Sequence, residues 1–216
     1  MKANENMVMK RIVIMALMAL TAVSAPLSAR QSKEVKDAAK AAKETARSLR
    51  KDGFAPLEYG DGTVQLEKYF SRVNAGCEGF VGTADGFISV NLAKMTAQVN
   101  VANEYALASG GRVRGRVVST GSRIGEEQVD DIVAAYERLI CRDIRGDLMT
   151  CATFVKSERG GRYSVRVFCV VDEDAAHSAS LKAMQRSLEE TGMAEEYGSM
   201  VSDWIDEGMD KMEAGR

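Results

Sequence analysis

The chain has 216 residues, 45% hydrophobic and 28% charged with only two prolines, which is ordinary globular composition for one domain or one domain with an appendage. Its 29 Lys and Arg against 31 Asp and Glu leave a formal charge of −2, which excludes a general nucleic-acid binder, because phosphate binding rests on an excess of basic side chains. One histidine, His177, and four cysteines without a C-x-x-C pair leave too few correctly spaced ligands for a zinc site, and no cofactor motif is present.

At the amino end, Lys10 and Arg11 precede an uninterrupted apolar run from Ile12 to Val23, followed by the small residues of "SAPLSA". This is the layout of a secretory signal peptide over residues 1–29, and Met9 offers an alternative start. Cleavage after Ala29 fits better than after Ala25, since Pro26 would sit just past the earlier cut. The alternative, a retained anchor, is disfavoured by the short run. No cysteine lies near the cleavage region to accept a lipid. The expectation is a periplasmic or secreted protein of a Gram-negative envelope, with no transmembrane span after cleavage. Its processed form loses three basic and one acidic residue and carries −4.

Residues 30–75 read as an N-terminal helical segment. Ser32 is a good N-cap, and Val35, Ala38, Ala39, Ala42, Ala46 and Leu49 recur at helical spacing up to Gly53, a natural C′ residue. Lys36, Lys40, Lys43, Arg47 and Lys51 form the opposite, solvated face, and attraction to anionic envelope surfaces is the lesser alternative. "GFAPLEYGDG" reads as a loop. A shorter helix covers Val64 to Val73, with Leu66, Tyr69, Phe70 and Val73 on its apolar side.

Residues 76–174 read as an α+β core domain. "NAGCEGFVGTADGF" has glycines at phosphate-loop-like intervals, but no Gly-Lys-Ser/Thr and no apolar strand leading in, so Gly79 to Ala84 is expected as a short strand or turn. The next helix carries Ile88, Leu92, Met95, Val99, Ala102 and Ala106 at steps of 4, 3, 4, 3 and 4, predicting one core-facing stripe, with Ala93, Ala97 and Ala108 allowing close packing. Gly110 and Gly111 are expected to end it. Alternation from Arg112 to Val117 then predicts a strand with Arg112, Arg114 and Arg116 on one face. Those arginines are the candidate contact for an anion or partner. A charged edge strand is the plainer alternative, and no aromatic residues are interleaved to stack bases.

Glu126 and Glu127 suit a helix start, and Val129, Ile132, Val133, Tyr136, Leu139 and Ile140 mark its buried side. "LMTCATFVKSERGGRYSVRVFCVV" predicts a hairpin turning at Gly160-Gly161. With a two-residue type I′ turn, Phe154 opposes Val167 and Ala152 opposes Cys169. A three-residue loop with a bulge would instead bring Cys151 opposite Cys169. Two disulfides in an oxidising compartment and four buried free thiols are both open from the spacing of Cys77, Cys141, Cys151 and Cys169.

Residues 175–216 form a C-terminal helical segment expected to pack on the core. A helix from Ala176 to Thr191 leads to Gly192, and a Met-rich stripe with the only tryptophan follows. Met200, Trp204 and Met209 make a candidate partner-docking face, because Met-rich surfaces re-pack readily; packing on the chain's own domain is the alternative.

The order of these elements describes an antiparallel sheet with helices on one face and additional N- and C-terminal helices. Over Gly76 to Asp172, a glycine-flanked strand leads to a helix with Ala93, Ala97, Ala102 and Ala106, then a strand. "DIRGDLMTCATFV" and "RYSVRVFCVV" close the region. This resembles a family of small envelope lipoproteins whose fold also occurs in the N-terminal domain of a flagellar T-ring assembly protein. The Lys/Ala-rich helix with its corner at Lys51, Asp52, Gly53 and Phe54 resembles secreted proteins of unknown function from Bacteroidales-type bacteria. The resemblance implies a fold and an envelope setting and transfers no catalytic residue; the chain departs from the lipoproteins in lacking the lipid-accepting cysteine.

No catalytic arrangement emerges. Asp130 and Asp131 point different ways on a helix, and His177 has no nucleophile motif around it. Cys141 beside Arg142 is the one thiol with a basic neighbour. The expected function is a non-catalytic binding or assembly module acting through surface contacts, toward an envelope protein or an anionic glycan or lipid surface. Small-ligand binding, or an enzyme without a recognisable motif, are the alternatives.

Overall fold

The computed structural model describes residues 34–58, 60–119 and 125–194. The expected signal peptide, the Ser32 cap, and the Met200, Trp204 and Met209 stripe lie outside the described residues. In chain order the elements are α1 (residues 34–51), β1 (Ala55–Pro56), α2 (Gly62–Asn74), β2 (Glu78–Phe87), α3 (Val90–Ser119), α4 (Glu126–Asp143), a 3₁₀ turn (Ile144–Gly146), β3 (Met149–Glu158), β4 (Arg162–Val171) and α5 (Glu173–Glu190).

Helix α1 ends as its sequence predicts. Gly53 takes φ of 87°, its N–H donates to the Arg50 carbonyl (3.1 Å), and Phe54 N–H donates to the Leu49 carbonyl (2.8 Å). This double closure satisfies carbonyls the helix leaves open and needs a residue at ease in the left-handed region. It also turns Phe54 into the same core as Leu49. The chain then runs two residues as β1 before α2 starts, with the Asp61 carboxylate accepting from Thr63 N–H (2.9 Å).

The four strands form one antiparallel sheet in the order β1-β3-β4-β2. The fold is α+β. Strand β4 is central and buried, and its alternation sorts two cores. Val165, Val167 and Cys169 pack with Ala93, Ala97 and Val101 of α3, whereas Phe168 and Val170 pack with Ala42, Ala46, Leu49, Leu66 and Tyr69 of α1 and α2. A third core joins α3, α4 and α5 and contains every residue expected on the buried side of α4. Helices of the central region thus gather on one face, and the N-terminal helices close the other.

The hairpin turns through three residues rather than two. Glu158 opposes Arg162, so Phe154 faces Arg166 and Ala152 faces Phe168, not the Val167 and Cys169 that a two-residue loop would give. Near the start of β3 the register slips, with Thr150 opposite Cys169 and Cys151 as the extra, bulged residue. The bulge removes Cys151 from the position that the three-residue loop would have given it, and all four cysteines are free.

Two expectations for α3 are overturned. The helix does not stop at Gly110 and Gly111 but runs thirty residues to Ser119, so Arg112 to Val117 is helix and not a strand. Glycine in a helix interior costs about 1 kcal/mol relative to alanine, while burying a valine contributes roughly 1.5–3 kcal/mol. Val113 and Val117, both buried, outweigh the glycine pair, and Ser109 shares a 2.5 Å hydrogen bond with Tyr136 of α4. The stripe from Ile88 is also only half buried. Ile88, Leu92 and Met95 are exposed, and the sheet is met through Ala93, Ala97 and Val101 instead. The small residues decide this, because α3 lies so close to β2 that a Cβ built on Gly82 would stand 1.9 Å from the Ala97 carbonyl oxygen. From Ala102 onward the stripe turns under α4 and is buried as read.

Candidate binding groove

Strand β1 covers little of its neighbour. It meets β3 at Val155 and Phe154, and Leu57 N–H donates to the Thr153 carbonyl (2.9 Å) before the chain leaves for α2. Met149 to Ala152 extend beyond that coverage at the edge of the sheet. A groove of about 660 Å³ lies there, lined by Glu58, Gly60 and Asp61 from the connecting loop, Val64, Gln65, Lys68 and Arg72 from α2, and Met149, Thr150 and Cys151 from β3. Volumes of roughly 300–1,000 Å³ are usual for ligand sites. A smaller recess of about 120 Å³ shares Gly60 and Asp61 and is backed by Phe54 and Phe154.

The helical period builds the α2 wall. Leu66 and Tyr69 face the core, which turns Val64, Lys68 and Arg72, spaced by four, onto the groove side with Gln65. The rim is divided by charge. At the loop end Glu58 accepts from Gln65 Nε2 (3.4 Å), and Asp61 is engaged as the α2 cap, its carboxyl held below the usual range by the Thr63 N–H and hydroxyl and by Arg50. At the other end the Arg72 guanidinium lies 3.0 Å from the Met149 sulfur. Among the described residues no carboxylate pairs with Lys68 or Arg72. Gln65 Oε1 is buried and accepts no hydrogen bond there.

The half-buried Cys151 sits in this groove, but burial raises its thiol above the ordinary value despite the opposing pull of Arg72 and Lys68. A thiol kept protonated is a poor nucleophile. Cys141 donates its proton to Asn103 Oδ1 (2.9 Å), with Arg145 3.8 Å from the sulfur, while Arg142 turns to Asp143. Among the described residues no three His, Cys, Asp or Glu side chains gather as a metal-ligand set. No described helix is long and apolar enough to cross a membrane.

The candidate arginines stand elsewhere. On α3, Arg112 donates two hydrogen bonds to Glu78 (3.0 and 3.2 Å), tying the helix to the first residue of β2. Arg114 pairs with Asp130 of α4. Helical geometry turns Arg114 away from Arg112 and Arg116, so the structure does not bring the three into one row. Pairs this exposed add about 1 kcal/mol or less each, but they occupy the guanidinium groups of Arg112 and Arg114. The groove residues Lys68 and Arg72 escaped the sequence reading, which followed the apolar side of α2; their spacing of four on its polar face was the available signal.

Matches were sought among protein-family models, curated proteins and solved structures, and none was found.

Proposed function

We propose that the protein is an exported binding module of the cell envelope that works through contacts and not chemistry, and that the groove between α2 and β3 is its contact surface. The observation that carries this reading is the Lys68 and Arg72 pair beside an uncovered sheet edge. It is a concave surface with cations left over, whereas Arg112 and Arg114 are occupied internally. The leader-like residues 1–29 and the likeness to small envelope lipoproteins support the envelope setting.

The test is retention. The tagged chain, expressed with its own amino-terminal segment, is recovered from the envelope fraction after crosslinking, beside Lys68→Glu/Arg72→Glu and Arg112→Gln/Arg114→Gln variants. The groove variant is expected to lose what the parent chain and the α3 variant retain. Equal recovery from all three would contradict the groove as the contact surface.

A further inference from the structure

We propose that the groove accepts an extended peptide segment of a partner protein, which adds to the open edge of β3 in line with β1 and places an acidic side chain between Lys68 and Arg72. The inference rests on the reading of the groove as the contact surface and gives its occupant. A β-strand offers backbone donors and acceptors on both sides, and an edge left unpaired is a template for another chain. Strand β3 spans ten residues, yet β1 spans two. Among the described residues no strand continues the row that β1 begins beside Met149 to Ala152, and Met149, Thr150 and Cys151 border the 660 Å³ groove.

The other edge of the sheet is protected differently. On β2, Asn100 Nδ2 donates to the Thr83 carbonyl (2.7 Å) and Arg162 donates to the Gly86 carbonyl (2.6 Å), and the strand is irregular between Ala84 and Phe87. Side-chain caps and bulges are devices that discourage pairing. The start of β3 carries the Cys151 bulge, and among the described residues no backbone partner is bonded on its outer side beyond Leu57.

Charge selects the peptide. Lys68 and Arg72 lie one turn apart at the β3 end of the groove, and Glu58 and Asp61 lie at the loop end. An acidic side chain meets two cations at one end, and a basic one would meet like charge there. A free dicarboxylate could use the same cations but would leave the strand edge unpaired.

The probe is a random octapeptide library displayed on phage and selected against the full immobilised chain. Selected peptides are synthesised with and without N-methylation at alternate amides. Enrichment of Asp or Glu at one position is expected, with slowed amide hydrogen exchange at Met149 to Ala152. Affinity should fall at least about tenfold both on N-methylation and in Lys68→Glu/Arg72→Glu. Both substituted residues are exposed, and Lys68→Gln/Arg72→Gln, expected to lose less, guards against a local distortion. No enrichment, enrichment without an acidic preference, slowed exchange elsewhere, or indifference to N-methylation each overturns the strand. Glutarate is titrated alongside, following alkylation of Cys151. Protection by glutarate alone removes the strand but keeps the groove as a binding surface. If, in addition, envelope retention is insensitive to the groove substitutions, the underlying reading falls as well.

Discussion

Tyr105 is buried where α3, α4 and α5 meet, its hydroxyl 3.4 Å from Ser180 Oγ, and burial pushes its pKa up to about 12. Tyr136, bonded to Ser109, is raised for the same reason. In the unfolded chain a tyrosine ionises near pH 10. Between about pH 10 and 12 the unfolded state therefore holds fewer protons than the folded state, and stability falls as pH rises. The contribution is complete below about pH 10 and is lost as the pH climbs toward the folded value. Chemical denaturation from pH 8 to 12 should show a steep alkaline decline, and Tyr105→Phe should flatten it. An unchanged slope in that variant would mean that the buried hydroxyls do not govern the decline. Tyr136 was legible as a core position, since the apolar period around it was complete, whereas Tyr105 lay outside the stripe expected for α3. Their hydroxyl partners were not legible, because Ser109 and Ser180 lie far away along the chain.

At the scale of elements, what was legible depended on whether one force acted alone. Helix α4 has one partner side, and its six expected core positions are all buried. Helix α1 stops at Gly53 because local hydrogen bonding and the positive φ agree. Helix α3 is different, since its first half packs on the sheet and its second half on α4 and α5. No single stripe serves both, and tertiary burial carries the helix past two glycines. These two roles of glycine separate under substitution. A Cβ on Gly111 meets nothing within 4 Å, so Gly111→Ala should stabilise the chain by about 1 kcal/mol. A Cβ on Gly82 would overlap the Ala97 carbonyl at 1.9 Å, so Gly82→Ala should destabilise it by about 2–3 kcal/mol. Thermal midpoints moving in opposite directions would bear this out, and a drop for Gly111→Ala would show that α3 needs glycine at that position. The hairpin teaches a similar lesson. Gly160-Gly161 announced the turn, but one extra loop residue and the Cys151 bulge reset the register, and neither has a mark in composition.

For the whole molecule, the sequence yielded the α+β class and the order of most elements, because turns, caps and periods are local. It did not yield the groove. That surface arises where β1 stops short, α2 lies against the sheet and β3 continues, and β3 begins only at Met149 while β1 and α2 end at Pro56 and Asn74. The arginines that looked like a binding device proved to be helix residues, two of them tied to Glu78 and Asp130, while Lys68 and Arg72, unremarkable in the sequence, face the cavity. The proposed partner contact is made by this cavity and not by the α3 surface. The most direct measurement is photo-crosslinking in the living envelope from Val64, exposed at the groove, and from Leu107, exposed on α3. A discrete adduct is expected from position 64, abolished by Lys68→Glu/Arg72→Glu, and none from position 107. An adduct from position 107 with nothing from position 64 would contradict the proposed contact.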